Sequence, residues 1–283
     1  MLGSYIIEVL KSLLFGLVEG ITEWLPISST GHMIILERFC GFKNVSEGFF
    51  DMFLVVIQLG AIMAVVVMFW NKLWPFKTVV TDKGKTVKAR KGIIQLWLKV
   101  IVGSVPAGIL GVAFNDLLDK YLYNYITVAI TLIVYGILFI VVEVVNKKRQ
   151  PRIRKLTQLT YKDALIMGAF QALSLIPGTS RSGATILGGI TFGASRRVAS
   201  EFAFFLAIPA MVGASLLKII KFGFAFSVME LVILIDGMIA AFAVSLICIR
   251  LLMNYIKKHN FNAFGIYRIV LGIVVLVTYT VIR

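Results

Sequence analysis

Apolar residues fill this chain in long runs, and its polar residues gather in clusters between them. Six runs, at 52–70, 93–113, 121–145, 197–219, 229–250 and 263–282, are close to the ~20 residues an α-helix needs to cross a bilayer. Two further regions, 5–42 and 161–194, read differently: each has two apolar arms split by a polar break. The first break is Pro26-Ile27-Ser28-Ser29-Thr30-Gly31-His32, and the second is Pro177-Gly178-Thr179-Ser180-Arg181-Ser182-Gly183. Proline stops a helix, and the hydroxyl residues after it can cap the next one. Each region is therefore expected to be a re-entrant hairpin of two half-helices. Irregular backbone at membrane depth must be buried in protein or line a cavity.

Composition supports lipid as the solvent. The 283 residues are 59% hydrophobic and 15% charged, with a mean hydropathy of +0.92. Soluble domains run about 45–50% apolar and about 25% charged. No Pro/Ser/Gly-rich linker divides the chain, so a single membrane domain over 1–283 is expected. The N-terminal apolar run carries carboxylates and lacks a small-residue cleavage site, which reads as a retained segment rather than a signal peptide. Cys40 and Cys248 have no metal-ligand spacing and read as small hydrophobes.

The net charge is +15, but its distribution argues for membrane topology rather than nucleic acid. The 71–92 loop holds Lys72, Lys77, Lys83, Lys85, Lys88, Arg90 and Lys91 against Asp82. The 146–162 loop holds Lys147, Lys148, Arg149, Arg152, Arg154, Lys155 and Lys162, and Lys257 and Lys258 lie in 251–262. These three loops are expected on the cytoplasmic side, with the loops at 43–51 and 114–120 outside. A hairpin followed by three spans then occurs twice, about 1–145 and about 161–283. Three spans is an odd number, so the second half is inverted, and the two breaks can meet near the midplane as in other inverted-repeat membrane proteins. The fold expected is an all-α polytopic membrane protein: six full transmembrane helices plus two re-entrant helical hairpins in an inverted repeat.

The breaks carry the candidate chemistry. Glu19 and Glu23 are four apart, on one helical face, and acids in a membrane are costly enough to demand a polar interior. The pair suggests a divalent cation, Mg2+ or Ca2+, or a general base; structural pairing with a buried arginine is the plainer alternative. His32 follows the first break and could transfer protons, whereas His259, beside Lys257 and Lys258, reads as solvated surface. Arg181 stands in a glycine- and hydroxyl-rich turn that opens a half-helix, a setting suited to phosphate. Ser28, Thr30, Gly178, Thr179, Ser180, Ser182 and Thr185 are the accompanying binding candidates. Ser29 could be a nucleophile or only a cap. Gln171 occupies the place in the second half that Glu19 has in the first, and would orient ligand or loop. Arg196 and Arg268, near span starts, read as snorkelling helix-end residues. The Phe-rich stretch at 202–205 reads as lipid-facing packing more readily than as a groove for a lipid tail.

Two long segments resemble a known family. Glu19-Gly-Ile-Thr-Glu23-Trp-Leu-Pro26-Ile-Ser28-Ser29-Thr30-Gly31-His32 and Pro177-Gly178-Thr179-Ser180-Arg181-Ser182-Gly183-Ala-Thr185 are similar to the two signatures of the bacterial undecaprenyl-diphosphate phosphatases of the bacitracin-resistance type. Gln58-Leu59-Gly60-Ala61-Ile62 and Ile266-Tyr267-Arg268-Ile269-Val270-Leu271-Gly272 are lesser matches. The resemblance implies hydrolysis of a C55 polyprenyl diphosphate to the monophosphate and phosphate, which recycles the carrier of cell-wall synthesis. It also implies a divalent cation and a bacterial plasma-membrane protein whose pocket opens to the outer face. Glu19 and Glu23 would then serve metal or base, His32 proton transfer, Arg181 the phosphate and Ser29 attack. The expected partners are the polyprenyl diphosphate lipid, the membrane and a second copy of the chain in a homodimer, with no nucleic acid. A transporter or flippase of a polyprenyl phosphate or small anion is the competing reading, since inverted repeats also build carriers.

Overall fold

The computed structural model describes residues 2–81 and 84–281, so Asp82, Lys83 and the last residue of the 263–282 span lie outside the described residues. In chain order the helices and strands are α1 (Leu2–Thr22), α2 (Ser29–Cys40), α3 (Phe49–Met68), α4 (Trp70–Leu73), β1 (Phe76–Thr81), β2 (Gly84–Ala89), α5 (Lys91–Leu122), α6 (Tyr125–Asn146), α7 (Tyr161–Ala172), α8 (Arg181–Thr191), α9 (Arg196–Phe222), α10 (Val228–Tyr255) and α11 (Asn262–Val281). Six of the helices, α3, α5, α6, α9, α10 and α11, are long and apolar enough to cross a membrane. Two expectations are corrected. The 71–92 loop contains an antiparallel pair of strands, and 114–120 is not a loop but the last part of α5. The hairpin's Thr and Val residues favour extended backbone, while nothing in 114–120 stops a helix before Tyr123.

The side chains of α1 are arranged inside out relative to a soluble protein. Glu8, Ser12 and Glu19 are buried, whereas Ile6, Leu10, Leu13, Leu17 and Ile21 are exposed. In water that exposed stripe would cost about 1.5–3 kcal/mol per side chain relative to burial; in hydrocarbon it costs nothing. The buried acid Glu8 receives Lys11 at 3.2 Å.

Close helix crossings fix the layout. α1 packs on α10 and α7 on α5; α2 touches α11 and α8 touches α6; α3 packs on α9 and α6 on α11. Glycine permits several of these approaches: a Cβ on Gly168 would strike the backbone of Gly103, and one on Gly60 the backbone of Met238. Without a hydrophobic force between helices in lipid, such small-residue contacts let dispersion hold the bundle together. The Phe-rich stretch of α9 is corrected as well: Phe202, Phe204 and Phe205 are fully buried. They lie in the protein interior, not against lipid, because α9 is enclosed by α3, α5 and α8.

Candidate active site

The site forms where the segments after α1 and α7 turn into α2 and α8. α1 ends at Thr22, and Glu23 still donates its N–H to the Glu19 carbonyl at 3.0 Å, so both carboxylates leave one helical face. Beyond the breaks, α2 and α8 start in the same way. Their N-caps, Ser28 and Ser180, have φ of 74° and 70°, and among the described residues they are the only non-glycine positions with positive φ. So sparsely populated a conformation costs on the order of 1–3 kcal/mol per residue. Each serine offsets part of it by accepting a helix N–H on Oγ, from Gly31 at 3.3 Å and from Gly183 at 3.2 Å.

Glu23 lies at the centre. Its Oε1 accepts Nη2 of Arg181 at 2.9 Å, and its Oε2 accepts the hydroxyl of Ser29 at 2.7 Å. Its backbone carbonyl accepts the hydroxyl of Ser182 at 3.0 Å. The first break is thereby tied to the second by an ion pair and a hydrogen bond. Arg181 is also held by the Ala203 carbonyl at 3.3 Å, and its guanidinium lies 5.7 Å from the ring of Trp24. Phe204 meets that indole edge-on at 5.2 Å. Phe204 of α9 thus backs the indole that lies beside Arg181.

A second arginine completes the cluster. Arg268 on α11 is 0% exposed. It donates to the carbonyls of Pro26 at 3.3 Å, Gly178 at 2.8 Å and Thr179 at 3.0 Å. A snorkelling residue would reach the interface, so that expectation is corrected: Arg268 is an internal clamp on both breaks. Arg196 is corrected too. Its guanidinium forms a two-point pair with Glu143 of α6, which also accepts the Phe261 N–H at 3.1 Å. Position near a span start misled in both cases, because sequence alone does not show which carbonyls or acids face the helix. The adjacent Tyr267 was likewise unmarked in the sequence.

His32 lies on the Tyr267 side of this cluster. Its Nδ1 is 2.8 Å from the Ser28 carbonyl, and its Nε2 is 2.7 Å from the Tyr267 hydroxyl. A carbonyl can only accept, so Nδ1 carries the proton and Nε2 is the basic end. The expected closeness of His32 to the hydroxyls and carboxylates takes a different form: it binds the Ser28 backbone and no carboxylate among the described residues.

The remaining candidates divide into bonded and unbonded groups. Thr185 donates to the Arg181 carbonyl at 2.8 Å, and Ser180 and Ser182 are 3.3 Å apart through their hydroxyls. Gly178 has φ of 85° and lies against Thr131 and Val128 so closely that a Cβ would clash. Thr131 donates to the Pro177 carbonyl at 2.7 Å. Thr30 is half-buried in the first turn of α2. By contrast Glu19 Oε1, the Gln171 amide and Thr179 Oγ1 are buried without a hydrogen-bond partner. Unsatisfied buried polar atoms call for a ligand, ion or water. No group of three or more His, Cys, Asp or Glu occurs among the described residues, so protein carboxylates at the breaks number two. Glu19 Oε1 is the donor atom that fits an added cation.

These features define the class: an α-helical polytopic membrane protein with a cluster of arginine, carboxylate and hydroxyl groups enclosed between its helices. The chain belongs to the bacitracin resistance protein BacA family, whose model matches residues 12–274. It is similar to an undecaprenyl-diphosphatase of Acetivibrio thermocellus, 57% identical over 98% of this chain and 100% of that one. It is also similar to proteins of the same name from Enterococcus faecalis, 56% identical over 95% of this chain and 96% of that one, and from Streptococcus mutans, 53% identical over 95% of each.

Proposed function

We propose that this chain hydrolyses undecaprenyl diphosphate to undecaprenyl phosphate and inorganic phosphate at the Glu23–Arg181 cluster. The observation that carries the assignment to this cluster is that one buried carboxylate holds both a guanidinium and a serine hydroxyl. The relatives' shared name supplies the substrate. Arg181 and the N-terminal ends of α2 and α8 offer positive charge to an anion. Ser29, hydrogen-bonded to Glu23, has the arrangement of a nucleophile with its base.

In the reading we favour, Glu23 takes the Ser29 proton as Oγ bonds to the terminal phosphorus. The bond from that phosphorus to the bridging oxygen breaks, and the polyprenyl monophosphate leaves. Water would then hydrolyse the phosphoserine, with Nε2 of His32, once released from the Tyr267 hydroxyl, as the group that takes the proton. Arg181 neutralises charge on the transferring group. A divalent cation, Mg2+ or Ca2+, would be held by Glu19 and Glu23 and would supply further charge neutralisation. Gln171, Thr179 and Thr30 would meet remaining phosphate oxygens, while Ser28, Ser180, Ser182, Thr185 and Gly178 shape the two breaks.

We further infer that α1–α2 and α7–α8 are re-entrant hairpins of an inverted repeat. Three features support this: the matched N-caps Ser28 and Ser180, the matched pairings α1–α10 with α7–α5, and α2–α11 with α8–α6. The pocket would open to the outer face of the plasma membrane. The test is purified protein in detergent with polyprenyl diphosphate and Mg2+ or Ca2+. Phosphate release without a gradient or sealed compartment supports catalysis; turnover that survives Arg181→Ala would remove this site from the reaction.

A further inference from the structure

A separate cavity lies at the end of the bundle that carries the Lys/Arg-rich loops, and no residue of either break lines it. Its volume is about 860 Å3, and it is enclosed by α4, the strand pair, the start of α5, the 154–157 segment and the start of α9. Eight Lys or Arg residues line it against one carboxylate, Glu201. Glu201 is already shared by Lys72 at 2.7 Å and Arg197 at 3.0 Å. Lys77, Lys91, Lys99 and Lys155 form no ion pair among the described residues, yet all four converge on this one space. Lys77, Lys91 and Lys155 are exposed and Lys99 is half-buried, so their mutual repulsion is modest, and an anion among them would gain from several cations at once.

An apolar groove of about 570 Å3 is built from the same two elements, α4 and the first turns of α5, on residues that alternate with those of the cavity. Trp70, Trp74 and Trp97 line it together with Val66, Leu73 and Ile94, and these are three of the chain's four tryptophans. Trp70 and Trp74 are about half exposed and stack at 4.8 Å, while the Trp97 indole donates to the Leu73 carbonyl at 2.8 Å. Tryptophan concentrates at the level of lipid headgroups. A basic cavity at that level, with an aromatic groove beside it, matches one chemistry: a phosphate headgroup attached to an acyl chain. We propose that this is a binding site for an anionic phospholipid of the surrounding leaflet, with its phosphate among Lys91, Lys99 and Lys155 and an acyl chain along Trp70 and Trp74. Basic pockets between membrane helices bind such headgroups. The site is distinct from the Glu23–Arg181 cluster and does not depend on the reaction assigned there.

The tryptophans supply the readout. The full chain in mixed micelles is titrated with phosphatidylglycerol brominated on its acyl chains, and tryptophan fluorescence is followed. We expect saturable quenching that unlabelled phosphatidylglycerol reverses and zwitterionic phosphatidylcholine does not. Lys91→Gln/Lys99→Gln/Lys155→Gln together should raise the half-saturating lipid concentration by about tenfold or more, and the matching Lys→Arg triple should not. Trp70→Phe/Trp74→Phe should remove most of the quenching, leaving half-buried Trp97 and buried Trp24 as background; this measurement stands even if the glutamine triple does not fold. Equal quenching by brominated phosphatidylcholine would overturn the proposal, as would an unchanged half-saturation in a folded glutamine triple. Displacement of the brominated lipid by millimolar inorganic phosphate alone would reassign the cavity to free phosphate.

Discussion

Arg181 reaches Glu23 across the space between the two breaks, Nη2 to Oε1 at 2.9 Å, and both side chains are largely withdrawn from solvent. The pair joins residues 158 apart in sequence, so it serves assembly as well as chemistry. Removing one partner strands the other's charge, which typically costs about 3–5 kcal/mol. We expect Arg181→Ala and Glu23→Ala each to lower the melting temperature and to cut kcat/KM by about 10²–10³ or more. The double variant should be less destabilised than the sum of the two, because neither charge is then orphaned. Thermal melts and phosphate-release assays on all four proteins close the cycle; strictly additive losses would mean the pair is not coupled.

Ser29 distinguishes two chemistries. Its hydroxyl donates to Glu23 at 2.7 Å, which serves equally to fix the carboxylate or to load a nucleophile. If Ser29 attacks phosphorus, Ser29→Ala should lower kcat by about 10³-fold or more, since the covalent route is lost. Rapid acid quench of the wild type with substrate labelled in the terminal phosphate should trap label on the protein. A loss of only about tenfold, with no trapped label, would return Ser29 to a positioning role and leave water as the attacking group.

Glu19 is 1% exposed, and its Oε1 has no partner. Chelation of divalent cations is expected to abolish phosphate release, and re-addition of Mg2+ or Ca2+ to restore it. Glu19→Gln keeps the shape and removes the charge. It should raise the cation concentration giving half-maximal activity by about 10–100-fold, the range seen when groups supporting a metal site are altered. Activity in Glu19→Gln with an unchanged cation requirement would place the cation elsewhere.

How much of this was legible depended on whether the signal was local. The two breaks were readable because Pro26, Pro177 and the hydroxyl residues behind them stop and restart helices by rules that need no partner. Glu19, Glu23 and Arg181 were readable because charge in an apolar run must be justified. Arg268 was not: an arginine near a span start snorkels or turns inward according to what faces it, and here three carbonyls from distant loops do so. Tyr267 was hidden for the same reason, since its partner His32 lies 235 residues away. The burial of Phe202, Phe204 and Phe205 was equally a tertiary matter, because lipid and protein interior select the same apolar side chains. The strand pair within 71–92 could have been suspected from the Thr and Val residues of Thr78–Thr81 and Thr86–Val87 on either side of Gly84.

Gly178 provides a test of packing independent of the chemistry. Its φ of 85° suits glycine, and a Cβ there would collide with Thr131 and Val128 on α6. Its carbonyl also accepts Arg268 at 2.8 Å, so any shift of this backbone disturbs the clamp. Gly178→Ala should therefore cost about 1–2 kcal/mol for the left-handed backbone, plus the cost of moving α6. Arg268→Lys tests the other end of the same contact. Lysine keeps the charge but loses the planar fork that spans separate carbonyls, leaving buried acceptors unpaired at about 1–3 kcal/mol each. Both variants should lower thermal stability and turnover together, whereas substrate added in excess should restore little activity, because the breaks themselves are displaced. A Gly178→Ala protein that melts with the wild type and retains full turnover would show that the second break tolerates a different backbone, and that Arg268 holds it less tightly than its two hydrogen bonds there imply.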